Sequence, residues 1–188
     1  MKFLLEHEAG FDNERLGYPS ISGCHAICYL TGVGLFGFHN AGGSGPDKFA
    51  ERARIFGDYV RAFSPNIKGL HLHGCSFVSE NRRGYSAPAQ DNWKAELKAF
   101  ASDLGFKGPI SGYDLSHLNT TSSAYVEYRR VGSSCLMFAQ PWTETGKTTG
   151  ANTGGVRQQK LVGSGQNPSV VTAVDTASLT QVFPVQMR

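Results

Sequence analysis

The chain has 188 residues, 40% of them hydrophobic and 18% charged, with a formal charge of +3, which is the composition of a single globular domain spanning 1–188. No run approaches the roughly 20 apolar residues of a membrane span, and Lys and Arg are scattered apart from the surface pairs Arg82–Arg83 and Arg129–Arg130, so neither a membrane span nor a nucleic-acid footprint is expected. Met1 to Leu5 is interrupted too soon by Glu6 and Glu8 to be a signal-peptide core, and four cysteines without an export signal fit a cytoplasmic chain, or one secreted by a dedicated machine without a cleavable signal.

Residues 21–39 (ISGCHAICYLTGVGLFGFH) hold two apolar runs broken at Thr31-Gly32, the pattern of two β-strands around a tight turn. Strand alternation puts Cys24, Ala26, Cys28 and Leu30 on one face of the first strand, and separates Phe36 and Phe38 from Leu35, Gly37 and His39 in the second. A Gly-rich stretch then leads to an amphipathic helix over 48–63, with Asp47 as its cap, Phe49, Ala53, Phe56, Val60 and Phe63 on its apolar face, and Pro65 beyond its end. Residues 69–78 alternate as a strand, with His71, His73 and Cys75 opposite Leu70, Leu72 and Gly74. A second helix is expected over 91–104, stopped by Gly105, then a short strand at 109–113 and a hairpin from 124–130 and 134–140. The polar Gly- and Thr-rich stretch at about 141–167 reads as one long loop, followed by short elements at 170–179 and 182–185.

A cysteine acts as a nucleophile only as thiolate, so it needs a nearby imidazole or cationic field and backbone N–H groups for the oxyanion. Cys24 and His39 stand seven residues before and after the turn dipeptide, which brings them to the same open end of the hairpin. Ser22-Gly23 supplies a small, flexible approach to the thiol.

The stretch Ser22-Gly23-Cys24 to Gly37-Phe38-His39, with His39 closing the second strand ahead of a Gly-rich loop, resembles the active-site hairpin of the CheD and cytotoxic necrotizing factor deamidases. The order hairpin, helix, strand, helix, strand over the first 115 residues or so is similar to CheD as well. The resemblance implies an α+β fold of mixed, β-sandwich-like sheets packed between helices. It implies a Cys–His dyad that deamidates, or in some members transglutaminates, a glutamine exposed on a protein substrate, without cofactor or metal, as a toxin or effector would. Cys24 carries over as nucleophile and His39 as base. CheD has a Thr shortly before the Cys as third polar member, where this chain has Ser20 and Ser22; Ser22 is the candidate, while the toxins orient the His with a backbone carbonyl. The 141–167 loop is the candidate for choosing the substrate.

Other readings stay open on the residues alone. His71-x-His73-x-Cys75, joined by Cys24 or His39, is a candidate zinc site, although the cysteine spacing is not that of structural zinc. A papain-like amidase or peptidase would pair Cys24 with His71 or His73 and requires Cys24 at a helix N-terminus. A non-enzymatic module would bury Cys24 as a small hydrophobe. Asp114 and His117 can approach the site, and Gly146-Lys147-Thr148 fails as a phosphate loop because Pro141 stands where the first Gly belongs.

Overall fold

The computed structural model describes residues 2–142, 158–163 and 178–187. In chain order the elements are β1 (Lys2–Phe3), β2 (Glu8–Asp12), β3 (Arg15–Ile21), β4 (Cys24–Thr31), β5 (Leu35–Ala41), α1 (Pro46–Phe63), β6 (Gly69–Ser76) and α2 (Ala89–Asp103). They continue with β7 (Ile110–Asp114), a 3-10 turn (Leu115–Leu118), β8 (Ser123–Val131), β9 (Ser134–Trp142), β10 (Gln159–Lys160), β11 (Thr180–Val182) and β12 (Val185–Gln186).

The strands form two sheets, ordered β1-β3-β8-β9-β11 and β10-β2-β5-β4-β6-β7-β12. Both are mixed, since β1 runs parallel to β3 and β6 parallel to β7 while the other pairs are antiparallel. The fold is therefore α+β. Between the sheets lies one apolar layer containing Leu16, Tyr18, Cys28, Leu30, Tyr113, Val126, Tyr128 and Met137. A second layer joins the opposite face of the larger sheet, through Ile27, Phe36, Phe38 and Leu72, to Phe49, Phe56 and Val60 of α1 and Trp93, Leu97 and Phe100 of α2. Each such buried side chain contributes about 1.5–3 kcal/mol. Both α-helices thus cover one face of the larger sheet, so the order of layers is helices, sheet, sheet rather than sheets between helices.

α1 starts one residue before its expected cap: Pro46 takes the first helical position, where its missing N–H costs nothing, and Gly45 caps without a side-chain bond. α2 begins at Ala89 rather than 91 and runs into the αL glycine Gly105. The hairpin turn is centred on Gly32-Val33 rather than Thr31-Gly32, closed by the Thr31 N–H on the Gly34 carbonyl at 2.9 Å. Thr31 Oγ1 donates to the Gly34 carbonyl at 2.8 Å, and Gly34 has φ +153, which excludes a β-carbon there at no strain. Leu30 consequently pairs with Leu35, and the whole register moves by two residues from the symmetric expectation.

Strands β2 and β3 are absent from the sequence-based expectation. They meet at an Asx turn in which Asp12 Oδ1 accepts from the N–H groups of Glu14 and Arg15, at 2.8 and 2.9 Å. Of the polar stretch expected as a loop, 143–157 and 164–167 lie outside the described residues, while Gln159–Lys160 pairs with β2. Most of the expected element at 170–179 also lies outside them. β11 adds an edge to the smaller sheet and β12 to the larger. No helix among the described residues is long and apolar enough to cross a membrane.

Candidate active site

Cys24 is the first residue of β4, reached where the chain leaves the smaller sheet. Ile21 still pairs with Ala124 in that sheet, and Cys24 already pairs with Ala41 in the larger one, so Ser22-Gly23 is the crossover. Gly23 is closely packed: a β-carbon on it would stand 3.1 Å from the carbonyl oxygen of Arg82, tighter than an ordinary contact. The strand end is fixed from both sides, by Ser76 Oγ donating to the Cys24 carbonyl at 2.9 Å and by Arg83 Nη1 donating to the carbonyls of Gly23 (3.2 Å) and Asn40 (3.1 Å).

His39 lies opposite Ala26 rather than Cys24. A register change of two residues preserves the face, so His39 and Cys24 are diagonal neighbours on the inter-sheet side, roughly 7–8 Å apart between strands and within reach of long side chains. His39 is fully buried, and its Nδ1 lies 2.8 Å from the carbonyl oxygen of Leu4. A carbonyl only accepts, so the proton is on Nδ1 and Nε2 is a bare acceptor. Nε2 is buried and has no hydrogen-bond partner among the described residues. Burial drives the imidazole pKa down to about 4 against the opposing bond to Leu4, with the fields of His7 and Arg83 adding to the fall.

The thiol is 5% exposed. Burial first and the charge of Glu6 second push it up to about 11, opposed by a hydrogen bond from the backbone of Ser22 and by the Arg83 cation. The Glu6 carboxylate Oε1 is 4.0 Å from Cys24 Sγ. Glu6 and His7 are the central residues of a turn closed by the Glu8 N–H on the Leu5 carbonyl at 2.9 Å. The same turn is pinned to the His39 carbonyl by the His7 N–H at 2.8 Å and to the described part of the polar segment by the Leu161 N–H at 2.7 Å. In this state thiol and imidazole are both neutral.

Behind the sheet, on the helix side, Glu96 is fully buried and collects Arg83 Nη2 (2.6 Å) and Nε (3.0 Å), Asn40 Nδ2 (2.8 Å), Tyr85 Oη (2.5 Å) and His25 Nδ1 (3.1 Å). Trp93 Nε1 donates to His25 Nε2 at 3.1 Å, and an indole N–H can only donate, so His25 is neutral with its proton facing Glu96. Burial pushes the Glu96 carboxyl up, but the Arg83 cation and the hydrogen bonds from His25 and Arg83 outweigh that and hold it below the usual carboxylate range. The ends of β4 and β5 therefore hang on a charged network whose main partners come from 83–96.

Sequence reasoning singled out neither Leu4, Glu6 nor Glu96, and it placed Arg83 on the surface, whereas the Arg83 side chain is buried against Glu96. The Ser22 backbone acts on the thiol, and the exposed residue lines a cleft of about 530 Å³ with Glu80, Arg82, Asn119, Thr120 and Thr121. The orienting partner of His39 is thus the Leu4 carbonyl and not the Ser22 hydroxyl.

His71, His73 and Cys75 share the Cys24 face, opposite Leu30, Cys28 and Ala26. Each ring is held locally on one nitrogen, His71 Nε2 with Ser111 Oγ at 2.7 Å and His73 Nδ1 with Tyr113 Oη at 3.2 Å, the two rings stacking at 4.1 Å; His73 Nε2, like His39 Nε2, is buried with no hydrogen-bond partner among the described residues. Among the described residues no group of three or more His, Cys, Asp or Glu is arranged to hold a metal ion. Cys24 opens a strand, so the helix N-terminus that a papain-like pairing demands is not there. Asp114 staples its own neighbourhood, accepting from the Val78, Ser79 and Ser116 N–H groups, and His117 Nδ1 caps the Asp114 carbonyl.

Fold and site together define an α+β protein in which Cys24 and His39 are buried on one face of a central hairpin. Compared with protein-family models and with curated proteins, the chain matches none.

Proposed function

We propose that the protein is a cysteine hydrolase that deamidates a glutamine side chain of a protein substrate through Cys24 and His39. The observation that carries this reading is the bare Nε2 of His39, buried on the same sheet face as the Cys24 thiol and held in one tautomer by the Leu4 carbonyl. A buried acceptor left unpaired costs about 1–3 kcal/mol and is the kind of exception found at reactive sites. The backbone carbonyl as orienting group is also the arrangement that the resemblance to the cytotoxic necrotizing factor deamidases implies.

In this mechanism the neutral imidazole takes the thiol proton as Cys24 attacks the carboxamide carbon. The Ser22 backbone, which lowers the thiol pKa, favours the thiolate as it forms. His39 returns the proton to the departing nitrogen, ammonia leaves, and water hydrolyses the thioester with His39 again as base. No cofactor enters. Because Cys24 and His39 are almost fully covered, the Glu6–His7 turn moves aside to admit substrate, and the contact of Leu161 with that turn gives the polar segment a route to influence which protein is accepted.

The test is ammonia release, with conversion of glutamine to glutamate followed by mass spectrometry, on a panel of candidate proteins with the wild-type chain and Cys24→Ser. Activity that survives the substitution removes Cys24 from the chemistry.

A further inference from the structure

Glu6 is exposed, sits at the tip of a turn, and directs its carboxylate at the nucleophile. A glutamate side chain is what deamidation of glutamine produces. We propose that the space beside Cys24 filled by the Glu6 carboxylate is the subsite for the substrate's γ-carboxamide, and that Glu6 lies in it as an internal mimic of the reaction product.

This inference rests on the proposed deamidase reading and adds how substrate is presented to it. The turn that carries Glu6 is positioned by the site itself: its His7 N–H is on the His39 carbonyl, and Leu4, one residue before the turn, orients the His39 ring. A side chain of this length on an exposed turn therefore reaches the thiol without rearrangement of the dyad. A protein substrate would present its glutamine in the same way, on an exposed turn that replaces the Glu6–His7 tip. Competition follows from the geometry, since Glu6 and a substrate side chain cannot occupy the space together. The negative charge held against the sulfur also disfavours the thiolate until substrate displaces it.

The chain itself supplies the test. In Glu6→Gln the γ-carboxamide is placed where the carboxylate was, with no change in shape. Cys24 Sγ bonds to the side-chain carbonyl carbon, the carbon–nitrogen bond breaks, ammonia departs with the thiol proton passed on by His39, and water cleaves the thioester. The thiol is regenerated and position 6 ends as glutamate. Peptide mass spectrometry of the purified variant is expected to show conversion at position 6 at a rate independent of protein concentration, with the chain's other glutamines unconverted. The double variant Glu6→Gln/Cys24→Ser is expected to keep its amide. In Glu6→Ala, iodoacetamide labelling of Cys24 at neutral pH should rise by roughly tenfold, as lost negative charge and cover at a thiol imply. Thermal unfolding of each variant checks that the fold is retained.

Retention of the amide at position 6 in a folded variant that still releases ammonia from a protein substrate through Cys24 overturns the subsite and leaves the deamidase reading intact. Conversion that continues in the double variant, or that is equal at all glutamines, is spontaneous chemistry and overturns it as well. Ammonia release from protein substrates that is indifferent to Cys24→Ser removes the underlying reading.

Discussion

The carbonyl oxygen of Leu4 lies 2.8 Å from Nδ1 of His39, a residue 35 positions later in the chain. This contact fixes the tautomer and leaves Nε2 as an acceptor. It also places the orienting group on the N-terminal turn that covers the thiol.

A buried neutral base should show in the pH profile. His39 loses its acceptor only on protonation, and its pKa is lowered from 6.5 to about 4. Cys24-dependent ammonia release per unit substrate is therefore expected to stay flat as pH falls through the usual histidine range and to decline only toward about 4. An acid limb centred near 6.5 would contradict the buried, neutral imidazole.

The same shift enters stability, with a definite sign. The unfolded imidazole binds a proton below about 6.5 and the folded one resists until about 4, so the contribution is complete above the unfolded value and is lost as pH falls across that window. For a fully buried ring this amounts to roughly 3 kcal/mol. His7, His25 and His73 are lowered by burial too, so the total slope is a sum; His39→Gln isolates one share. Urea unfolding at several pH values should give a flatter dependence for the variant than for the wild type.

Arg83→Ala leaves the Glu96 carboxylate buried without its main cation and frees the carbonyls of Gly23 and Asn40. The expected loss is about 3–5 kcal/mol. Tyr85→Phe removes a single bond to the same carboxylate and should cost about 1.5–3 kcal/mol. Equilibrium unfolding of both variants measures the difference, and equal costs would mean that the charge pair is not the centre of the network.

Gly37→Ala probes the inter-sheet packing two residues before His39. A β-carbon there meets the Tyr18 hydroxyl and the side chains of Leu4 and Leu16. Tyr18 is tied by its hydroxyl to the Ile27 carbonyl at 2.7 Å, which limits its retreat. Overpacking of this kind costs about 1–3 kcal/mol, read as a lower unfolding temperature. An unchanged temperature would show that these side chains relax freely.

The strongly patterned elements were legible. Alternation in ISGCHAICYL and GLFGFH separates the Cys24–Cys28 face from the Phe36–Phe38 face, and the structure buries the first between the sheets and the second against the helices. Both helices follow from their apolar spacing, and the stop at Gly105 from the need for an αL residue. The N-terminal strands were missed because Glu8–Asp12 and Arg15–Ile21 alternate weakly; the Asp12-Asn13 turn signal between them was the available clue. The hairpin register was misplaced by two because the turn is centred one residue later, on Gly32-Val33, and glycines on both sides of Val33 make either centre readable from the sequence.

By itself, the sequence determined which residue types could react and which faces they share, because strand periodicity is local and survives an even change of register. Only the tertiary structure decided what those groups meet. Leu4 and Glu6 arrive at His39 and Cys24 from a stretch with no motif, and Arg83 and Glu96 from beyond the first helix, brought together by sheet packing. Their effects on the thiol and the imidazole come from burial and through-space charge, which depend on distance in the fold and not on spacing along the chain.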